Sequence, residues 1–316
     1  NAPDKIADAS ALLDQLESTD LFVARAEHQA EEAWYCLHPL LRETLQQRFA
    51  ALDASTRQAV HERAFGWFRA KGLLHEAVPH AVQAGQDTLA AGLVDQCALS
   101  LALRGDRREL IALLRLPPPA HVQQDFRMRL WLARAQFFER DLAACSNTLD
   151  SLALDVPDTD TVLRFHVHTL QVALAVQRDD IDKALAMQPL LLQAPDGTEP
   201  LVIGARNNVW SWLHALQGRH EEARRMILEA PAILVDGVPL VGTPAGSLQG
   251  RTLVGMSYVL EGRMTQGERI LRAVVAEAGK RGDSCADARH LALGGLADVL
   301  YELGEVAEAR SLLQDK

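Results

Sequence analysis

Apolar residues recur at helical spacing through most of the chain, and the clearest instance is Val209 to Ala230, VWSWLHALQGRHEEARRMILEA. Val209, Trp210, Leu213 and Leu216 mark one face before Gly218; Ala223, Ile227 and Leu228 mark another after it. That is the spacing of an amphipathic helix on each side of a break. Gly218 has no Cβ and can take the left-handed conformation that lets the chain reverse. The acidic pair Glu221 and Glu222 suits the positive N-terminus of the helix that follows. Ala223, five residues past the glycine, is small where two backbones approach closely. A larger residue there is expected to overpack, at roughly 1–3 kcal/mol.

The same pairing of a turn residue with a small or aliphatic residue five further on repeats along the chain. The rungs are Gly72 with Ala77, Gly105 with Leu110, Glu139 with Ala144, Asp179 with Ala184, Gly218 with Ala223, Gly262 with Gly267 and Gly304 with Ala309. Their spacings are 33, 34, 40, 39, 44 and 42 residues. The first two match a tetratricopeptide (TPR) period and the rest an expanded one, so the predicted fold is all-α, a TPR-like helical-repeat superhelix. Helix pairs are predicted at Phe126 to Phe138 with Leu142 to Leu152, and at Thr161 to Gln177 with Ile181 to Leu192. Later pairs are Gly246 to Leu260 with Thr265 to Ala278, and Cys285 to Leu303 with Val306 to Leu313. LPPP, Leu116 to Pro119, stops a helix because proline has no N–H to donate, and a change of curvature is expected there. Two longer breaks, Pro195 to Pro200 and Pro231 to Pro244, are expected to border a binding face.

The front of the chain is patterned differently. Ala9 to Glu17 is amphipathic through Leu12, Leu13 and Leu16; LFVARA (Leu21 to Ala26) and AWYCLH (Ala33 to His38) then flank the polar EHQAEE, which predicts a β-hairpin. A helix from Pro39 to Leu52 follows, with Leu40, Leu41, Leu45 and Phe49 on its apolar side. Ser55 is placed to cap the next helix, which runs to Lys71. Helix, hairpin, helix outlines part of a winged helix. The predicted division is therefore a winged-helix remnant at 1–54, linking first repeats at 55–119 and the superhelical arm at 120–316.

Composition narrows what such an arm can do. The 316 residues are 48% hydrophobic, enough for a long core, and carry a net charge of -10, which argues against direct contact with nucleic acid. Cys36, Cys97, Cys145 and Cys285 are isolated and read as reduced core thiols of a cytoplasmic protein. No apolar run approaches a membrane span and NAPDKIADAS has no signal core, so no membrane partner is expected. The absence of an initial Met suggests a fragment. Chemistry-bearing motifs are missing: Gly262 to Arg269, GRMTQGER, puts Glu268 where a phosphate-gripping Lys belongs, and nothing resembles GxSxG. His166 with His168 and His75 with His80 lack metal-ligand spacing. No catalytic residue, metal or cofactor is expected in this segment, and it is not read as an enzyme.

In a solenoid of helix pairs, the first helix of each pair lines the concave side. Projection from each turn selects Arg129 and Ala133, Thr169 and Ala173, Asn208 and Trp212, Thr252 and Met256, and Gly294 and Asp298. One turn outward lie Phe126, His166, Gln249 and Tyr301. This mixture suits a ligand groove better than a dry core. The candidate contacts are Arg129, His166, Thr169, Asn208, Trp212, Thr252, Met256, Asp298 and Tyr301. Each has a bland alternative: Trp212 could plug a helix junction, and Arg129 and Asp298 could be solvated charges. Trp210 and Trp131 are assigned to packing. Asn207 and Asn208 have poor helix propensity, so something else must hold them in a helix.

Leu12 to Phe49 and His61 to Gln96 also carry a resemblance, through Leu21-Phe22 opening the hairpin, Trp34-Tyr35 before His38, Leu41 and Leu45, and the helix pair KGLLHEAVPHAVQAG. Together these resemble the region after the ATPase module in MalT-like large LuxR-type transcriptional regulators of the STAND class. In that family an ATP-binding module and winged helix precede a superhelical arm that binds a small inducer, and a helix-turn-helix domain ends the chain. The resemblance implies a sensor arm that couples an inducer to activation and self-association of a full-length regulator, with ATP held outside this segment. The alternative is a TPR interaction scaffold that holds a peptide or a partner subunit. The chain departs from the family pattern in lacking the Walker motif and a terminal DNA-reading helix.

Overall fold

The computed structural model describes residues 11–18, 22–26, 34–230, 233–235, 238–240 and 242–314. Residues 11–18 form α1, and β1 (Val23–Ala26) pairs antiparallel with β2 (Trp34–Leu37), Val23 opposite Leu37. The predicted hairpin is present. Helix α2 (Pro39–Ala50) starts on a proline, and the His38 ring accepts a hydrogen bond from the Leu40 N–H at 3.3 Å. None of its residues is buried, and Leu40 and Leu45, placed on an apolar side, are exposed. Cys36 is exposed too, unlike Cys97, Cys145 and Cys285.

Helix α3 (Ala54–Ala70) is capped by Asp53, not Ser55. The Asp53 carboxylate accepts from the Thr56 N–H at 2.9 Å and from the Ser55 and Thr56 hydroxyls, because it stands one position ahead of the first helical residue. The helices α4 (Leu74–Gln83), α5 (Asp87–Arg104) and α6 (Arg107–Leu114) follow. After the proline stop the chain re-enters a short helix, α7 (Pro119–Gln124), that the sequence did not reveal.

The pairs α8 (Phe126–Phe138) with α9 (Leu142–Asp155) and α10 (Thr161–Gln177) with α11 (Ile181–Met187) continue the array. Next come α12 (Pro200–Leu216) with α13 (His220–Leu228), α14 (Pro244–Leu260) with α15 (Met264–Arg281), and α16 (Ala286–Glu302) with α17 (Val306–Gln314). Inside the Pro231 to Pro244 break, read from sequence as loop, stands a second hairpin of β3 (Ile233–Val235) and β4 (Val238–Leu240).

The turn residues behave as the ladder requires, with one correction. Gly72, Gly105, Asp179, Gly218, Gly262 and Gly304 all have positive φ. In the third rung the left-handed residue is Arg140, with φ 65°, while Glu139 keeps helical φ as the C-cap of α8. The partner five residues on is therefore Cys145, fully buried, and not Ala144. Ala77, Leu110, Cys145, Ala184 and Ala223 are all sealed from solvent, as a close helix crossing demands. At Gly267 a Cβ would stand 2.5 Å from Val259 Cγ2 and 2.9 Å from the Gly255 carbonyl. That rung needs glycine rather than alanine.

The buried core runs along the array as successive clusters. The first joins Phe65, Val94, Leu110 and Trp131; the next are centred on Leu149 and Leu152, on Val172, Leu191 and Leu213, and on Leu271, Val274 and Leu296. The superhelix then meets its own earlier turn. Arg107 forms an ion pair with Asp287, Arg108 Nη2 lies 3.0 Å from Asp283 Oδ2, and a Cβ on Gly105 would stand 3.0 Å from Ser284 Cβ.

Candidate functional site

Where the two turns meet they enclose a cavity of about 460 Å³. Its wall draws on the α5–α6 turn, the ends of α8 and α10, the inner faces of α12 and α14, Gly242 and Thr243 after β4, and the first turns of α16. That volume lies within the ~300–1,000 Å³ typical of small-ligand sites.

Five of the nine candidate residues reach this wall: His166, Thr169, Asn208, Trp212 and Met256. On α12 the wall positions fall 6, 10, 13 and 17 residues before Gly218, at Trp212, Asn208, Ala205 and Leu201, one face of a 3.6-residue helix. Four candidates lie elsewhere. Arg129 is buried between α8 and α9, donating to Asp155 Oδ2 and Ser151 Oγ at 2.7 Å each. Counted from the true turn residue, Arg140, the inward position is Arg134, and Arg134 does line the cavity. The register slip in the third rung thus put Ala133 at the inward position where Arg134 stands. Thr252 is fully buried with its hydroxyl donating to the Leu248 carbonyl at 3.0 Å, and it packs inside the pair. Asp298 and Tyr301 are exposed, because only the first turns of α16, through Asp287 and Leu291, face the cavity.

Helix caps set several of these positions. Asp125 caps α8 through the N–H groups of Arg127 and Met128, and Asp160 caps α10 through that of Leu163. Asn208 Nδ2 donates to the Gly246 carbonyl at 2.8 Å, tying α12 to the first turn of α14. A Cβ on Gly250 would stand 2.8 Å from Asn208 Oδ1, so the glycines of α14 permit the approach. This tie, with buried Asn207 accepting from Arg206 Nε at 3.2 Å, accounts for two asparagines inside a helix. The Thr169 hydroxyl donates to the Phe165 carbonyl at 2.8 Å. Trp212 is half-buried on the wall, whereas Trp131 is buried in the core and Trp210 packs edge-on to His214 at 5.8 Å.

The polar end of the cavity is cationic. Arg134 is only 8% exposed and its guanidinium lies 4.3 Å from the centre of the Trp131 ring. The indole N–H of Trp131 donates to Asp95 Oδ1 at 3.1 Å, and Asp95 also pairs with Arg127 at 2.9 Å. Burial pushes Arg134 down to about 10, against the pull of Glu199, so it stays charged at neutral pH. His166, 6% exposed, has Nε2 buried with no hydrogen-bond partner among the described residues. Burial, then the charges of Arg134 and Arg127, push it down to about 3, so its ring is neutral at physiological pH.

The description of the MalT winged-helix domain matches residues 5–58. The chain is 25% identical to the serine/threonine-protein kinase PknK of Mycobacterium tuberculosis, over 98% of this chain and 28% of that protein. It is 30% identical to the HTH-type transcriptional regulator MalT of Yersinia pestis, over 55% of this chain and 19% of that protein. The chain thus spans less than a third of the length of these curated relatives. A solved structure of similar fold is the STAND protein with a tetratricopeptide repeat sensor from Pyrococcus horikoshii, with TM-score 0.56 and 14% identity, covering 93% of this chain and 43% of that one. A winged-helix segment of the MalT type, followed by a TPR-like helical superhelix, makes this chain MalT-like in its organisation.

Proposed function

We propose that this chain is the sensor arm of a MalT-like transcriptional regulator and takes a small-molecule inducer in the cavity between α8, α10, α12 and α14. The observation that carries the reading is the cavity itself, walled from two turns of the superhelix and lined by a half-buried tryptophan, amides, a hydroxyl and an apolar majority. A ligand there touches helices that belong to different repeats. It therefore favours the closed arrangement of those repeats over any other. Only such unequal affinity can move a regulator between states, at about 1.4 kcal/mol for each tenfold shift. In this proposal the shift is passed through the winged-helix segment to a cytoplasmic full-length protein that binds ATP and self-associates, while the arm itself contacts neither DNA nor membrane.

The test is a thermal-shift screen of the 316-residue chain against metabolites and against short peptides, repeated with Trp212→Ala. Metabolites that stabilise the native chain and not the variant are the expected result. Stabilisation by peptides alone would replace the sensor with an interaction scaffold. Asn208→Ala is a poor probe, because losing its tie to Gly246 weakens the α12–α14 contact whether or not a ligand is present.

A further inference from the structure

Three arginines line the cavity, and two already have partners: Arg107 pairs with Asp287, and Arg140 donates to Gln177 Oε1. Arg134 has neither hydrogen-bond nor ion-pair partner among the described residues, although it is more than nine-tenths buried. Glu199 and Asp95 attract it only from beyond ion-pair distance, and a buried cation with no directly paired carboxylate is costly unless something arrives to neutralise it. The face of its guanidinium is taken by Trp131, which Asp95 holds in place, so the N–H donors in the plane are held ready. On the neighbouring helix His166, also on the wall, holds a second buried and unpartnered nitrogen, Nε2.

The rest of the wall limits what else the ligand can be. One N–H of the Asn208 amide and the Thr169 O–H are committed to backbone carbonyls. Phe138, Leu170, Leu253 and Met256 present hydrocarbon. One anionic head on an apolar body matches both ends.

We propose, resting on the sensor reading above, that the cavity selects an organic acid, with the carboxylate taken by Arg134 and His166 and the apolar body laid against Phe138, Leu170, Leu253 and Met256. Arg134 receives the carboxylate through paired N–H donors, the geometry that makes arginine selective for planar anions. His166, as a neutral imidazole, donates Nε2–H to it. The chain's overall charge of -10 does not oppose this, because among the described residues the wall sets three arginines against the carboxylate of Asp287.

The experiment is calorimetric titration of the chain with hexanoate, 4-phenylbutyrate and cinnamate, each beside its uncharged amide. At least one acid is expected to bind, at least tenfold more tightly than its amide, and Arg134→Gln is expected to remove that preference. The comparison of acid with amide uses the native chain, so it stands even where the variant folds poorly. No binding by any of the acids, equal binding of acid and amide, or unchanged binding in a folded Arg134→Gln each overturn the proposal. Uncharged metabolites that bind through Trp212 while the acids do not would leave the sensor reading intact and remove the anion. Binding of peptides alone would remove both.

Discussion

Arg107 and Asp287, 180 residues apart in the chain, form an ion pair that joins the start of α6 to the start of α16. Both line the cavity, so the pair is a clasp on the space it encloses. The side chains are 25% and 39% exposed, which puts the pair at about 0–1 kcal/mol and makes it sensitive to salt. Asp287→Asn is expected to lower stability within that range at low salt and to speed amide exchange across Gly282–Cys285. The swap of Arg107→Asp with Asp287→Arg should recover part of the loss. If the single change leaves exchange there untouched, the clasp is not what holds the two turns together.

Gly262 and Gly267 are needed for different reasons. Gly262 has open space around it but φ of 84°, so Gly262→Ala is expected to cost about 1–2 kcal/mol through backbone strain. Gly267 has no such strain, yet its Cβ would meet Val259 and the Gly255 carbonyl, and Gly267→Ala is expected to cost about 1–3 kcal/mol through overpacking. Urea unfolding measures both. Replacing Val259 by alanine should relieve the part of the second that its Cγ2 imposes, the Gly255 carbonyl contact remaining, and leave the first unchanged; relief of both, or of neither, would refute the distinction.

His166 couples stability to pH. Its folded pKa, about 3, lies below the ordinary 6.5, so the unfolded chain takes up the proton first as pH falls. The contribution is complete above pH ~6.5 and is lost progressively between there and pH ~3, at about 1.4 kcal/mol per pH unit. Burial also lowers His80, His168 and His214, which act in the same direction, so the decisive quantity is the difference between native and His166→Gln. The variant should show a shallower fall in stability below pH 6.5. Parallel curves would mean that His166 titrates normally in the fold.

Much of this architecture could be read from the chain because local signals agreed with one another. Helix α8 starts beside Asp125 and α10 beside Asp160, both N-caps, and their predicted bounds coincide with those found. Trp212, Asn208 and Met256 reach the cavity because Gly218 and Gly262 mark their turns without ambiguity. At Arg140 no such mark exists: a charged residue takes the left-handed turn, the register slips by one, and Ala133 is projected inward where Arg134 stands. The meeting of Arg107 with Asp287 left no trace in any local pattern, since it depends on curvature summed over several repeats. Hairpin β3–β4 was hidden in a proline-bearing stretch of the kind that usually marks a loop.

The most direct measurement of whether the cavity takes a small molecule is native mass spectrometry of the chain after incubation with a protein-free metabolite extract. A discrete adduct of one mass, at one copy per chain, is the expected result, and it should be lost in Trp212→Ala while the variant keeps its helical circular dichroism. No adduct on the native chain, or the same adduct on the folded variant, would contradict the assignment of this cavity as the sensing site.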